Sequence, residues 1–207
     1  MNDLNCILFR EPNSLSELES LLRLRFSVYS NDAFLSGMVD ETALFDISEF
    51  DVNAYHFGAF LNNEPIACIR ITNATETSFT PWMHQIVLQN KLFISPKQTN
   101  FPFQAYYPDK LWSERFIQSL EGKKIGEVGK LAIHTKFRKS GTVLFGLIES
   151  FVNYCTDIQS FETGFGVCSL SLARYYKRFG FSKTMGAQSF IYEGLPEANV
   201  LRFDNVN

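Results

Sequence analysis

Residues 125 to 151, IGEVGKLAIHTKFRKSGTVLFGLIESF, constrain this chain more than any other stretch. The apolar run around Glu127 reads as a buried strand, Lys136 to Gly141 as a short basic loop, and Thr142 to about Tyr154 as an apolar helix. That order suits an anion. The glycine lets backbone N–H groups approach a phosphate, and the helix N-terminus that follows adds its partial positive charge. Glu127, just upstream, reads as a base beside a phosphorylated cofactor; its other reading is a strand-end glutamate exposed to water.

The rest of the chain supplies elements around this unit. Asn5 to Arg10 is a short apolar strand ended by Pro12, and Ser14-Leu15-Ser16-Glu17 matches a capping box. The helix behind it carries Leu15, Leu18, Leu21, Leu22, Phe26 and Tyr29 at helical spacing. Ser30 to Asp51 is acidic and irregular, a loop or broken helix over a site. Tyr55 to Leu61 and Pro65 to Asn73, separated by Asn62-Asn63-Glu64, predict a hairpin. Between Ala74 and Gly122 prolines punctuate the chain, and Trp82 to Gln89 and Pro108 to Leu120 fit helices with proline in the first turn. Phe161 to Cys168 reads as a strand and Ser169 to Phe179 as a helix stopped by Gly180. Ser189 to Tyr192 and Val200 to Phe203 read as late strands. The order predicts an α/β fold with a mixed central sheet flanked by helices.

A chain of 207 residues, 45% apolar, is long enough for one full core. The start, MNDLNCILFREP, lacks the basic and apolar pattern of a secretory signal, and no segment approaches 18 uninterrupted apolar residues, so the expectation is a cytoplasmic protein with no integral membrane segment. Cys6, Cys68, Cys155 and Cys168 are dispersed in apolar contexts and read as buried thiols. Charge is sorted along the chain: residues 1 to 64 hold three Lys/Arg against eleven Asp/Glu, residues 123 to 183 ten against four. The basic residues cluster at the glycine loop and at Arg174 to Lys183 instead of forming an extended arm, which favours a phosphorylated cofactor or an acidic carrier protein over nucleic acid. The alternative is a solvated charged face. His56, His84 and His134 have no metal-ligand spacing, and His56, in a strand, reads as structural; His134, ending the Glu127 strand, is placed where it could face the site.

Arg138-Lys139-Ser140-Gly141-Thr142-Val143 resembles the (R/Q)-x-x-G-x-(G/A) pyrophosphate loop of the GNAT superfamily of N-acetyltransferases, with Val143 in the last small position. Tyr176, followed by Gly180-Phe181, is similar to that superfamily's late helix end. The resemblance implies a single GNAT-like domain over residues 1–207 with a variable insert at about 74–120. It implies donor binding by Arg138, Lys139, Ser140, Gly141, Thr142 and Val143, with Leu131 and Ile133 on the strand before them. Acyl transfer from a thioester to an amine needs a base for the amine proton, donors for the oxyanion and a proton for the departing thiolate. Glu127 fits the first task and Tyr176 the last; the other reading of Tyr176 is a packed core tyrosine.

A narrower likeness involves Arg25-Phe26-Ser27-Val28-Tyr29, Glu49-Phe50-Asp51, Arg70 and Glu127-Val128-Gly129-Lys130. These resemble motifs of the acyl-homoserine-lactone synthases and the long-chain N-acyl amino acid synthases. Lys130 stands where the lactone synthases have arginine, Leu35 where they have tryptophan and Ser48 where they have an acid, which makes the N-acyl amino acid synthases the nearer relatives. The resemblance implies transfer of a fatty acyl group from acyl carrier protein, or acyl-CoA, to the amino group of an amino acid or similar small amine, with no tightly bound cofactor. The substrate contacts it implies are Arg25, Tyr29, Asp51, Arg70 and Lys130. A guanidinium matches a carboxylate in two parallel bonds, so Arg25 and Arg70 suit either an anionic substrate or ion pairs with Asp46, Glu49 or Asp51. Acyl carrier protein is acidic and would suit Lys123, Lys124, Lys136, Arg138, Lys139 and Lys177; Phe93, Phe101, Phe103 and Phe116 are candidates for lining an acyl tunnel. Two other functions remain open, an acetyl-CoA-dependent small-molecule N-acetyltransferase and a non-catalytic protein that binds an acyl donor and regulates a partner.

Overall fold

Seven strands pair into one mixed sheet in the computed structural model, which describes residues 6–33, 35–36, 44–73, 79–92, 94, 122–183 and 197–204. In chain order the elements are β1 (Ile7–Arg10), α1 (Leu15–Ser30), β2 (Ala54–Leu61), β3 (Glu64–Asn73), α2 (Pro81–Gln89), β4 (Ile125–Ile133), α3 (Gly141–Asn153), β5 (Thr163–Ser169), α4 (Leu170–Tyr176), β6 (Ser182–Lys183) and β7 (Ala198–Asp204). The strand order is β1-β2-β3-β4-β5-β7-β6. Neighbours are antiparallel except β4 and β5, which are parallel and joined by α3. The predicted Ser189 to Tyr192 strand, the Pro108 to Leu120 helix and Phe93, Phe101, Phe103 and Phe116 lie outside the described residues. Among the described residues no helix is long and apolar enough to cross a membrane.

Local chemistry explains the boundaries. Ser14 accepts the backbone N–H of Glu17 at 3.2 Å, as a capping residue should, but Glu17 reaches one residue further back than the capping box requires, taking the N–H of Asn13 at 2.7 Å. The Glu17 carboxylate also pairs with Arg10 at 2.6 Å, tying the start of α1 to β1. Pro81 opens α2, where its missing N–H costs nothing. Gly180, at φ 84, ends the turn that follows α4. The hairpin closes through Asn62 and Asn63 alone, at φ 53 and 66.

Alternation along the strands sends side chains to two faces. On one face Leu21, Leu24 and Val28 of α1 pack with Phe60, Cys68 and Ala132. On the other, Val143, Leu147, Ile148 and Phe151 of α3 pack with Phe57, Ile69, Ile71 and Val128. Leu24 and Val28 are buried where the helical spacing singled out Phe26, which is half-buried. One cysteine departs from expectation: Cys6 is exposed, because it precedes the edge strand, whereas Cys68, Cys155 and Cys168 are buried.

Candidate active site

The parallel pair defines the site. β4 pairs with β5 only from Ile125 opposite Thr163 to Val128 opposite Gly166. Beyond that β5 continues against β7 as far as Ser169, while β4 continues against β3 to Ile133, so the two strands part. Both strands run toward the same edge, where the loops into α3 and α4 begin; the carboxyl ends of parallel strands are where open α/β sheets take their ligands. Glu127 sits immediately before the parting. It pairs across the ladder with Thr72, sharing the α1 face with Arg70, and is buried at 6% exposure. The water-exposed reading of Glu127 therefore does not hold. Tyr176 lies on the opposite, α3 face, in the cluster of Cys168, Ala173 and Phe181, its ring 5.1 Å from that of Phe181. The packed-tyrosine reading thus describes its ring. Burial raises its hydroxyl above the usual tyrosine range, so it stays protonated.

On the α1 face, Arg25, Asp46, Asp51, Arg70 and Lys130 form a buried charge network. Arg25 Nε lies 2.6 Å from Asp46 Oδ2, and its Nη2 lies 2.9 Å from Asp51 Oδ1 and also bonds the Asp46 carbonyl. Arg70 Nη1 lies 3.0 Å from the same Asp51 oxygen, and Lys130 Nζ 2.9 Å from Asp46 Oδ1. Burial disfavours the Asp51 carboxylate, but Arg25 and Arg70 outweigh it and hold its pKa well below the ordinary range. Burial likewise opposes the Arg25 charge, and Asp51 and Asp46 more than offset it. Lys130 goes the other way, lowered by burial with only partial compensation from Asp46. His56, packed beside Asp51 at 3.9 Å, is pushed down to about 4 by burial and is neutral. Of the acids predicted as partners, Asp46 and Asp51 hold the arginines. Ser48 donates its N–H and hydroxyl to Asp51 Oδ2 at 2.9 and 2.8 Å, so the missing acid there orients the remaining one. Arg25, Asp51 and Lys130, expected as substrate contacts, are engaged in internal ion pairs, the other reading that the two arginines allowed. Arg70 keeps a buried Nε with no hydrogen-bond partner among the described residues, and its Nη2 is the atom nearest to a side chain built at Gly129.

The basic loop lies at the carboxyl end of β4. Arg138, Lys139, Gly141 and Thr142 are exposed and Ser140 is half-buried; Ser140 caps α3 without a side-chain bond, so the first-turn N–H groups are left to another acceptor. Arg138 donates Nε to the Ile133 carbonyl at 3.3 Å. Val143 is wholly buried in the α3-face core, so its bulk lies away from the exposed helix end. Leu131 and Ile133 are half-buried on the stretch of β4 that β5 no longer covers. Tyr29 joins the two regions by donating its hydroxyl to the Leu131 carbonyl at 3.2 Å.

The basic residues do not form one surface. Lys123 and Lys124 precede the nine-residue β4 and Lys136 to Lys139 follow it, roughly 30 Å apart at the rise of a strand. Lys124 is engaged at its own end, with Nζ 2.6 Å from the Gln159 carbonyl. At the other end Phe145, one turn into α3, meets Tyr175, Phe179 and the guanidinium of Arg178, which brings the end of α4 and Lys177 to the basic loop. His134 accepts the N–H of Lys136 at 3.3 Å and shapes that loop. The sequence reading undervalued Asp46 and His56. The signal for His56 was its place in the hairpin register opposite Arg70.

Residues 90–202 match the family model described as N-acyl amino acid synthase FeeM. No curated protein sequence matches the chain significantly. Among solved structures, the CoA-dependent acyl-homoserine lactone synthase BjaI, with SAM and isopentyl-CoA, aligns at TM-score 0.61 with 14% identity, covering 91% of this chain and 76% of that one. FeeM, an N-acyl amino acid synthase from uncultured soil microbes, aligns at TM-score 0.56 with 16% identity, over 96% of this chain and 90% of that one. ElaA of Escherichia coli aligns at TM-score 0.56 with 15% identity, over 96% and 98%. The shared fold is the GNAT fold.

Proposed function

The chain belongs to the family of the N-acyl amino acid synthase FeeM and is an N-acyltransferase; we propose that it moves a fatty acyl group from acyl carrier protein, or acyl-CoA, to the amino group of an amino acid or similar small amine. The observation that carries this reading is Glu127, buried on the α1 face at the point where β4 and β5 part, with Tyr176 on the opposite face.

In this reading the thioester arm enters the parting from the loop end, its phosphate on the N–H groups of the first turn of α3 and beside Arg138 and Lys139. The acceptor lies on the α1 face. The buried Nε of Arg70, without a hydrogen-bond partner among the described residues, supports an acceptor bearing an anionic group, as an amino acid does. Glu127 takes a proton from the acceptor amine, directly or through a water, and the nitrogen attacks the thioester carbonyl. The carbonyl oxygen becomes an oxyanion, and backbone N–H groups of β4 near the parting are its proposed donors. Collapse breaks the C–S bond beside the Tyr176 hydroxyl, which burial keeps protonated and which donates a hydrogen bond to the sulfur as it leaves; the proton that Glu127 took from the amine returns through solvent to the thiolate. The amide and the free thiol are the products. Arg138, Lys139, Lys177 and Arg178, gathered at one end of the molecule, support docking of an acidic carrier protein there; Lys123 and Lys124 stand too far away to share it.

The test is thiol release from acyl carrier proteins of graded chain length, and from long-chain acyl-CoA and acetyl-CoA, against a panel of amino acids. Glu127→Gln is expected to lower kcat by about 10²–10⁴-fold, the usual contribution of a positioned base, while donor affinity stays unchanged. An unaltered rate removes Glu127 as the base. Donor binding without turnover in the native protein overturns the catalytic reading as a whole.

A further inference from the structure

Two glycines of the sheet are explained by what crowds them. A Cβ at Gly58 would lie 2.8 Å from the Leu21 and Phe60 side chains, and one at Gly126 would lie 2.5 Å from Ile71. Gly129 is different. It holds a ladder position opposite Arg70, its φ is not left-handed, and the left-handed residue of β4 is its neighbour Lys130, at φ 56. A Cβ there would meet Arg70 Nη2 at 3.9 Å and, its chain neighbours aside, nothing else within 4 Å among the described residues. Backbone and packing would therefore admit a side chain. A glycine inside a strand without such a cause marks a place where something else approaches closely. Gly129 is half-buried, whereas Glu127 and Val128 before it are buried, so this space on the α1 face is reached from outside.

The guanidinium bordering the space is short of partners. Asp46 is shared by Arg25 and Lys130, and Asp51 by Arg25 and Arg70, so three cations divide two carboxylates. Arg70, only 3% exposed, commits Nη1 to Asp51 at 3.0 Å, while its Nε has no hydrogen-bond partner among the described residues. A further carboxylate, seated above Gly129, is the group that suits it. Glu127 lies two positions back on the same face, about 7 Å away at the rise of a strand. An amine at Glu127 and a carboxylate at Arg70 therefore stand close together, as two groups on one carbon do. We propose that Gly129 determines acceptor specificity: its missing side chain leaves a subsite beside the Arg70 guanidinium that takes the carboxylate of an α-amino acid. This deepens the acyl-transfer reading above and rests on it. Gly129 forms no bond in the reaction; it decides which acceptors lie with their nitrogen at Glu127.

Glycine, glycinamide, methylamine and β-alanine test this, because glycine carries only the two groups the subsite reads. As acceptors for the native protein, glycine is expected to exceed glycinamide and methylamine by about a hundredfold in kcat/KM, since both leave the buried guanidinium without its anion. It is expected to exceed β-alanine by about tenfold, because the longer spacing misplaces the nitrogen. In Gly129→Ala the added methyl fills the space at an ordinary contact distance from Nη2. The glycine KM is expected to rise by about tenfold, while kcat/KM for methylamine and the donor KM stay within about twofold. A merely structural glycine would move all of these together. Independently of turnover, calorimetric titration of glycine in the presence of CoA is expected to show binding to the native protein that is about tenfold weaker in Gly129→Ala. Equal kcat/KM for glycine and methylamine in the native protein overturns the subsite, as does an unaltered glycine KM in the variant. β-Alanine ahead of glycine overturns the α-amino acid assignment. If no thioester is turned over and glycine still binds the native protein more tightly than the variant, the acyl-transfer reading fails and the subsite stands. Equal binding to both, or to neither, overturns the subsite. Should Gly129→Ala fail to fold, the four acceptors on the native protein decide.

Discussion

At the scale of single residues, the buried charges on the α1 face make stability depend on pH in a readable way. His56 is pushed from about 6.5 to about 4 by burial. Between those values the unfolded chain binds a proton that the folded chain refuses, so stability falls as pH drops through this window and is flat above it. The full loss is about 3 kcal/mol at about 1.4 kcal/mol per pH unit. Asp51 does not mask the effect: its pKa is depressed, so its contribution is complete above the free carboxylate value of about 3.9 and fails only below it. Urea unfolding from pH 7 to pH 4 should show the slope in the native protein and lose it in His56→Asn; equal slopes would refute the assignment. Little of this was legible beforehand. A lone histidine in a strand carries no local signal, and its partner Asp51 arrives from an irregular loop whose path no periodicity reports. Arg25 and Arg70 were legible as a pair needing acids, since cations in otherwise apolar elements must find partners.

At the scale of elements, the hairpin contrasts with a bulge in β4, where Lys130, at φ 56, and Leu131 stand against Ile69 alone. Asn62 and Asn63 both adopt left-handed conformations, as a two-residue turn between right-twisted strands demands, and Asn-Asn between two apolar runs announced it. Asn63→Gly is expected to hold or slightly raise the melting temperature, while Asn63→Ala lowers stability by about 1 kcal/mol, because alanine lacks the local polar contacts that help asparagine tolerate the left-handed region. A melt that ranks alanine above glycine would contradict this turn. The β4 bulge had no such announcement. Local rules would have given the left-handed position to Gly129, but Asp46, 84 residues earlier, holds the Lys130 ammonium on the other face. α1 shows the same division: its cap was readable from Ser14 and Glu17, whereas the burial of Leu24 and Val28 depended on which strands it would cross.

At the scale of the whole molecule, the order of strands and helices was legible because each element is signalled locally, and the basic glycine loop before α3 because strand, glycine and helix are consecutive. The charge network was not, since it joins α1, the acidic loop, β3 and β4 across the fold. Nor was the division of the basic residues between two ends of β4, which a linear count merges. The parting of β4 and β5 has one more consequence. It makes the sheet a partition with a doorway, and on the proposed reading the thioester reaches it from one side and the amine from the other, so neither substrate has to vacate the room before its partner enters. Cys68 and Cys168, the thiols nearest this doorway along their strands, are pushed up to about 12 by burial and offer no nucleophile to park the acyl group on. Initial-rate plots against both substrates should therefore intersect, the mark of a ternary complex. Parallel lines, or an acyl adduct on the protein after acid quench, would mean that the two entrances are used in turn.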